Sequence, residues 1–431
     1  MPGTHVGVIG LGYIGLPLAL RLAAGGYRVT GVDVSPEVRG AIEAGRPLFF
    51  EPGVREALRD LPPGRFRVAA ELPGEPLDAI ILCVGTAVDP ETRTPHLTAL
   101  HAAAESLPGH VTDDTLVIVR STVSVGTCRS VVLPQLTRSG SRPLLAMCPE
   151  RTIQGTAMRE ITTLPQIIGG LDEASAHRAA RILAPVCPDQ VRVSSIEAAE
   201  LAKLICNAHT DLIYGFGNEI ALISEGLGLD ANEIIAAANL RYPRPDLHRP
   251  GFVGGSCLVK DPYLLLASAA PGGQAAPMVS AARTVNESIP HHVVRRLVES
   301  LKQNGKEIRD SKILVLGVAY KGYPETDDVR GSAAEVVGAE LAGEARVLAA
   351  HDPVVDAARI GHFGFLPSEL DEGIRDADAI VILTDSPVYR NLTLAQVRGA
   401  APSVVVFDVW GVADAALSGV DGITYLRLGR G

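Results

Sequence analysis

The stretch GFVGGSCLVKDP, residues 251–262, sets a cysteine behind two glycines and ahead of a lysine and an aspartate. Gly254 and its neighbour leave Cys257 little steric cover, and Lys260 and Asp261 bring a cation and a carboxylate close in sequence. A cation beside a thiol favours the thiolate, the nucleophilic form. Upstream, ELAKLICN carries Lys203 and Asn207 four residues apart, on one face of a helix. An exposed Lys/Asn pair is ordinarily just solvated; in an Ala/Leu/Ile stretch it points instead into a polar pocket. A third set opens the chain. HVGVIGLGYIGLPLALRLAAGGYRVTGVD contains Gly10, Gly12 and Gly15 as GxGxxG, with Tyr13 and Ile14 between them, and ends at Asp33. Strand, glycines, helix, strand and terminal acid together predict a dinucleotide site. The first glycine permits the turn, the second admits a pyrophosphate and the third lets helix meet strand. Asp33 accepts hydrogen bonds from a ribose diol, which favours NAD over NADP. With a hydride acceptor available, the electrophile for a thiolate is an aldehyde. Attack gives a thiohemiacetal, hydride loss gives a thioester, and water releases an acid. Chemistry that stopped at a ketone or aldehyde would need no nucleophile.

These residues need elements to hold them. VGVI reads as a buried parallel strand, LPLALRLAAGG as an apolar helix and YRVTGVD as a second strand. LDAIILCVGT (77–86) and DTLVIVRSTV (114–123) are further apolar runs, and LLAMCPE is a short strand. In a doubly wound sheet, ligands lie beyond the carboxyl ends of the strands. Gly85, Thr86, Ser121, Thr122 and Glu150 therefore fall near cofactor or substrate, with a strand-capping turn as the competing explanation for Thr86 and Ser121. From Ile196 the apolar spacing becomes three and four over a long span that ends at SEGLGLD, a long helix. KILVLGVAYKG, SAAEVVGAELAG, ARVLAAHDP, DADAIVILTD and SVVVFDVWG then repeat the opening theme with the middle glycine lost and Lys321 gained. The expected fold is α/β, two Rossmann-like doubly wound domains joined by a long central helix. The expected boundaries are residues 1–195, 196–305 and 306–431, with the site in the cleft between the sheet domains.

The 431 residues exceed one core, and 47% hydrophobic with 20% charged residues suits globular domains. A formal charge of −10 argues against general nucleic-acid binding. No run approaches the length of a membrane span, and MPGTHVGVIG carries no basic leader. The six cysteines show neither CxxC pairs nor zinc spacing, so free thiols, a cytoplasmic setting and no metal are expected.

GVIGLGYIGLPLA, CVGT, STV, CPER, ELAKLICN, GFVGGSCLVKD and GVAYKGYPETDDVRGS together resemble the UDP-glucose/GDP-mannose dehydrogenase family, the nucleotide-sugar 6-dehydrogenases, from residue 5 to about residue 415. The resemblance implies a four-electron oxidation of an NDP-hexose C6 alcohol to a carboxylate with two NAD⁺, and a nucleotide-sugar substrate. It implies a homodimer or higher homo-oligomer as well. Carried over by position, Cys257 is the nucleophile, Lys203 and Asn207 hold the developing oxyanion, and Asp261, Thr122 and Glu150 position or activate water. Lys260 falls on the family's KD dipeptide, as a phosphate or carboxylate contact. Lys321 and Arg330 match the segment facing sugar nucleotide and cofactor, with Lys321 on the substrate and Arg330 on the cofactor. Arg244 matches a substrate arginine near a dimer interface. GGSC–KD resembles the glucose branch, which gives UDP- or dTDP-glucose as the first expected substrate. CPERTIQGTAMREI resembles the branch acting on N-acetylated hexosamines, and Leu258 stands where the glucose enzymes commonly have Phe. UDP-ManNAc, UDP-GlcNAc and GDP-mannose therefore stay open as alternatives. So do a two-electron β-hydroxyacid dehydrogenase, which leaves Cys257 and the second sheet domain unexplained, and a non-catalytic nucleotide-binding module.

Overall fold

The computed structural model describes residues 3–242 and 246–431. The chain forms two compact units. One runs through Asn207 and takes in Tyr263–Ala275; the other holds Ala208–Pro262 and Ala276–Gly431.

The first unit is built on an eight-stranded sheet ordered 190–192, 166–170, 144–147, 116–119, 79–82, 5–9, 28–32, 66–69. Its first six strands in sequence pair in parallel in the order 3-2-1-4-5-6, the doubly wound arrangement. Gln166–Gly170 then runs antiparallel to Leu144–Met147. His5–Ile9, Ala79–Leu82 and Leu116–Val119 are buried throughout. They read as unbroken apolar runs because both sheet faces are covered. Alternate strand residues feed two cores: Val6, Val8, Ile81 and Ile118 on one face, Ile9, Ile80, Leu82 and Val119 on the other. Phe66–Ala69, Gln166–Gly170 and Gln190–Arg192 were not separable from loop in the sequence. Phe66–Ala69 is only partly buried and Gln190–Arg192 mostly exposed, so neither carries an apolar run.

The second unit holds a parallel six-stranded sheet ordered 366–367, 347–351, 312–316, 379–382, 404–408, 423–427, again 3-2-1-4-5-6. The internal repeat extends to hydrogen bonds. Asp78 accepts the N–H of His5 at 2.8 Å, and Asp378 accepts that of Lys312 at 2.8 Å. Asp33 accepts the N–H of Leu11, and Asp352 that of Val318.

Two long helices complete the fold, Ile196–Gly226 and Pro277–Gln303. The second starts on Pro277, where a missing N–H costs nothing, and stops at Asn304–Gly305. Among the described residues no helix is long and apolar enough to cross a membrane.

Candidate active site

The glycine turn of the first unit has the shape its sequence predicts. Gly10 sits at φ +92°, a left-handed conformation, and its N–H reaches the Val32 carbonyl at 2.8 Å. A Cβ on Gly15 would stand 1.7 Å from the Gly10 oxygen, whereas one on Gly12 would meet nothing within 4 Å. The helix Gly15–Ala24 that follows has no side-chain cap and no acid in its first turn. Tyr13 packs on Phe49 with ring centroids 4.5 Å apart, and Ile14 is the residue at the helix N-cap. Asp33 Oδ2 accepts from Leu11 N and Oδ1 from Ser35 N, both at 2.9 Å. Each oxygen keeps a further lone pair for a ribose hydroxyl. The open face at Gly12, the uncapped helix start and the oriented Asp33 fit NAD. Arg39 donates to the Asp33 and Val34 carbonyls.

Thr86 donates its hydroxyl to the Thr122 carbonyl at 2.7 Å, and Gly85 beside it is exposed. Ser121 is buried and donates to the Val84 carbonyl at 2.6 Å, so its proton serves the backbone. Glu150 is buried as well. Its Oε2 accepts from Arg120 Nε at 3.0 Å and from Nη2, and its Oε1 accepts the N–H groups of Arg151 and Thr152 at 2.7 and 2.8 Å. Burial alone would raise its pKa, but Arg120 and those N–H groups outweigh it and hold the carboxyl below the ordinary range. Lys203 is 7% exposed, with no ion pair among the described residues, and Asn207 lies one turn on, half-buried.

Two features of this unit were not read from the sequence. Glu200, fully buried one turn before Lys203, accepts the N–H groups of Gly126 and Cys128 at 2.6 and 2.8 Å. Ser268 accepts the N–H of Val125 at 2.9 Å. With Thr86, they fix the loop carrying Ser121 and Thr122 at three points. An acid inside the apolar helix stretch was the only sequence signal for Glu200.

In the second unit, Cys257 is exposed on the one-turn helix Gly255–Leu258. Burial pushes the thiols of Cys83 and Cys148 up to about 12 and raises those of Cys128 and Cys187. Among the described residues, Cys257 and Cys206 are the exposed thiols. Lys260 donates to Asp261 Oδ1 at 2.7 Å, so cation and carboxylate partly neutralise each other, and Asp261 is fully buried. Gly255 sits at φ +87°, where a Cβ would stand 2.8 Å from the Tyr320 ring, and its N–H meets the Gly331 carbonyl at 3.2 Å. The cysteine turn, with Gly254 at its N-cap, is thereby packed on the segment bearing Lys321 and Arg330. Lys321 Nζ lies 5.5 Å from the centroid of the Tyr320 ring. Arg330 is exposed and grips Asp328 with two parallel bonds of 2.8 and 2.7 Å. Asp352, the counterpart of Asp33, accepts four N–H groups, from Val318, Ala319, Val354 and Val355, which fills its acceptor sites. Arg244 lies outside the described residues.

Comparison with known proteins covers nearly the whole chain. Residues 4–187 match the NAD binding domain of the UDP-glucose/GDP-mannose dehydrogenase family, residues 197–288 its central domain and residues 314–415 its UDP binding domain. The chain is 32% identical over 413 residues to the UDP-N-acetyl-D-mannosamine dehydrogenase of Pyrococcus horikoshii, covering 94% of each chain. It is 31% identical over 440 residues to that of Methanocaldococcus jannaschii, covering 100% of this chain and 97% of that one. The solved UDP-D-ManNAc dehydrogenase structure from Pyrococcus horikoshii superposes with a TM-score of 0.89 at 29% identity, covering 99% of this chain and 100% of that one. The chain belongs to the UDP-glucose/GDP-mannose dehydrogenase family and is an NAD-dependent oxidoreductase acting on the CH–OH group of a nucleotide sugar.

Proposed function

We propose that the chain oxidises the C6 alcohol of a UDP-N-acetylhexosamine, UDP-N-acetyl-D-mannosamine first, to the uronate in two successive oxidations. The single observation that carries the two-step reading is Cys257. It is an exposed thiol on a turn whose backbone the fold fixes, while desolvation raises the thiols of Cys83, Cys128, Cys148 and Cys187 and keeps them protonated. Two relatives matched over 94% and 97% of their length bear the name UDP-N-acetyl-D-mannosamine dehydrogenase, which supports the N-acetylated substrate over the UDP- or dTDP-glucose expected first. CPERTIQGTAMREI and Leu258 agree with it.

When bound, NAD⁺ accepts one hydride from the sugar carbon in each oxidation. Cys257 adds its thiolate to the C6 aldehyde, and the carbonyl oxygen takes a proton to give the thiohemiacetal. That adduct loses a proton and a hydride to become the thioester; water then adds, expels the thiolate and leaves the carboxylate. Lys203 supplies the positive charge that stabilises oxygen as it becomes anionic, and Asn207 on the same helix face donates to it. Thr122, on its clamped loop, and Asp261 position the water. Glu150, held ionised by Arg120, has its acceptor sites filled by Arg120, Arg151 and Thr152, so it fixes the rim of the site and acts on the water only through these neighbours, not as a base. Lys321 holds substrate, and Arg330 carries the charge assigned to the cofactor. Arg244 is proposed as a substrate contact on family position alone. The chain works as a homodimer, supported by an apolar stripe along Ile196–Gly226, in a reducing, cytoplasmic setting where its thiols stay free.

The test counts NADH released per UDP-N-acetylmannosamine and per UDP-glucose by wild type and by Cys257→Ser. Two NADH and one uronate from the former sugar are expected. Cys257→Ser should form no acid while binding NAD as wild type does. One NADH per sugar with no acid, or acid from Cys257→Ser, overturns the reading.

A further inference from the structure

A chain of buried polar side chains in the second unit ends on both sides of the cysteine loop. Asp211 and Asn218 come from the helix Ile196–Gly226, and Arg283 and Asn286 from Pro277–Gln303. None of the four is more than 3% exposed. Arg283 Nη1 donates to Asp211 Oδ1 at 2.5 Å, and Asn286 Nδ2 donates to the same carboxylate oxygen and to the Asp211 carbonyl, both at 2.9 Å. Asn218 Nδ2 donates to Asn286 Oδ1 at 2.9 Å. Two bonds leave this chain for the loop. Asn218 Oδ1 accepts the N–H of Gly251 at 2.8 Å, and Arg283 Nη1 donates to the carbonyl of Leu258 at 3.3 Å. Gly251 begins the stretch and Leu258 follows Cys257 directly. At Gly251 the fit is close: a Cβ there would lie 2.3 Å from the Trp410 ring.

A buried ion pair is weak evidence for stability, because desolvation offsets its attraction. Its geometry is what a fixed hydrogen-bond chain secures. We propose that Asp211–Arg283–Asn286–Asn218 holds the loop 251–258 at both ends and so aims the Cys257 sulfur, which makes Arg283 and Asn218 positioning residues for the thiol chemistry. The inference rests on the reading of Cys257 as nucleophile. A thiol that must meet a bound carbonyl needs a fixed direction, and a misplacement of about 1 Å lowers turnover on the order of 100-fold. A small reagent diffusing from solution needs no such direction. Slackening the strap therefore lowers turnover while leaving reaction with iodoacetamide alone.

The experiment compares wild type, Arg283→Lys and Asn218→Ala in the full chain. Arg283→Lys keeps a cation for Asp211, but its ammonium sits on a shorter side chain than the Nη1 that also reaches Leu258, and it loses the second nitrogen that reaches Glu287. Asn218→Ala removes the acceptor for Gly251 and introduces no charge, and it serves if Arg283→Lys does not fold. For each folded variant, kcat should fall about 10- to 100-fold and KM for the nucleotide sugar should stay within about threefold. Alkylation of Cys257, read by mass spectrometry against Cys206 as the exposed internal reference, should stay within twofold of wild type. Wild-type kcat in the folded variants overturns the proposal. So does a loss of turnover that only tracks the loss of folded protein in circular-dichroism melts. Acid formation by Cys257→Ser would overturn the nucleophile reading itself; its absence, combined with wild-type kcat in the strap variants, sinks the positioning proposal alone.

Discussion

Arg120 and Glu150 lie just beyond the ends of the paired strands Leu116–Val119 and Leu144–Met147, both within the buried interior. Glu150 was legible as an acid beyond a strand end, because CPE follows an apolar run. Its partner was not, since an arginine between Val119 and Ser121 reads as one more rim residue until the strand register is known. The pairing sets the sign of a pH effect. The folded pKa of Glu150 is depressed, so its contribution to stability is present above the unfolded carboxylate value, about 4.3. That contribution is lost as pH falls through this value and on through the folded pKa. Glu150→Gln leaves the buried Arg120 uncompensated and should cost about 3–5 kcal/mol at pH 7. Urea melts of wild type and variant at pH 7, 5 and 4 should show the gap beginning to narrow at the lowest pH. A gap that widens as pH falls would show that Glu150 is not held ionised in the folded state.

The opening strand–turn–helix was legible because each residue type there answers one geometric demand. The structure separates those demands. Gly15 is required by the fold, since a Cβ would collide with the Gly10 oxygen at 1.7 Å; Gly12 is open to its surroundings, and the fold itself makes no demand on it. Gly15→Ala should therefore destabilise the first unit by about 1–3 kcal/mol or more through overpacking. Gly12→Ala should leave stability within about 0.5 kcal/mol, while weakening NAD binding by about 1.4 kcal/mol or more, tenfold in Kd. Melting curves with and without NAD, together with a binding titration, check both. Equal stability loss in the two variants would count against the pyrophosphate assignment at Gly12. Elements without such demands were less legible. Phe66–Ala69 and Gln190–Arg192 are strands through sheet pairing at the edges, and tertiary context rather than local pattern makes them so. The three clamps on the loop bearing Thr122 were invisible for the same reason: Thr86, Glu200 and Ser268 are far apart in sequence and meet only in the folded unit.

At the scale of the molecule, the repeated sheet was legible because the sequence repeats strand, glycine and acid in the same order, and both sheets follow 3-2-1-4-5-6. The sugar was legible only as two opposing signals, GGSC–KD for the glucose branch against CPERTIQGTAMREI and Leu258 for the N-acetylhexosamine branch. The remaining question is what covers Ile196–Gly226. Leu201, Ile205, Phe216 and Ile223 are between 41% and 52% exposed. Their separations of 4, 11 and 7 residues bring them onto one face of the helix. In a two-fold dimer the same face meets itself, so every side chain on it counts twice. Full burial of a side chain of this size contributes about 1.5–3 kcal/mol, and these side chains are already half-buried in the chain, so each contributes about half of that; two positions across two copies still contribute several kcal/mol to association. Phe216→Asp with Ile223→Asp replaces that with four carboxylates brought together, at positions exposed enough to leave the fold of each chain intact. Wild type should sediment at twice the 45.2 kDa chain mass and the double variant at that mass, with unchanged circular dichroism. A wild type that sediments as a single chain at micromolar concentration, or a double variant that remains paired, would place the association elsewhere or remove it.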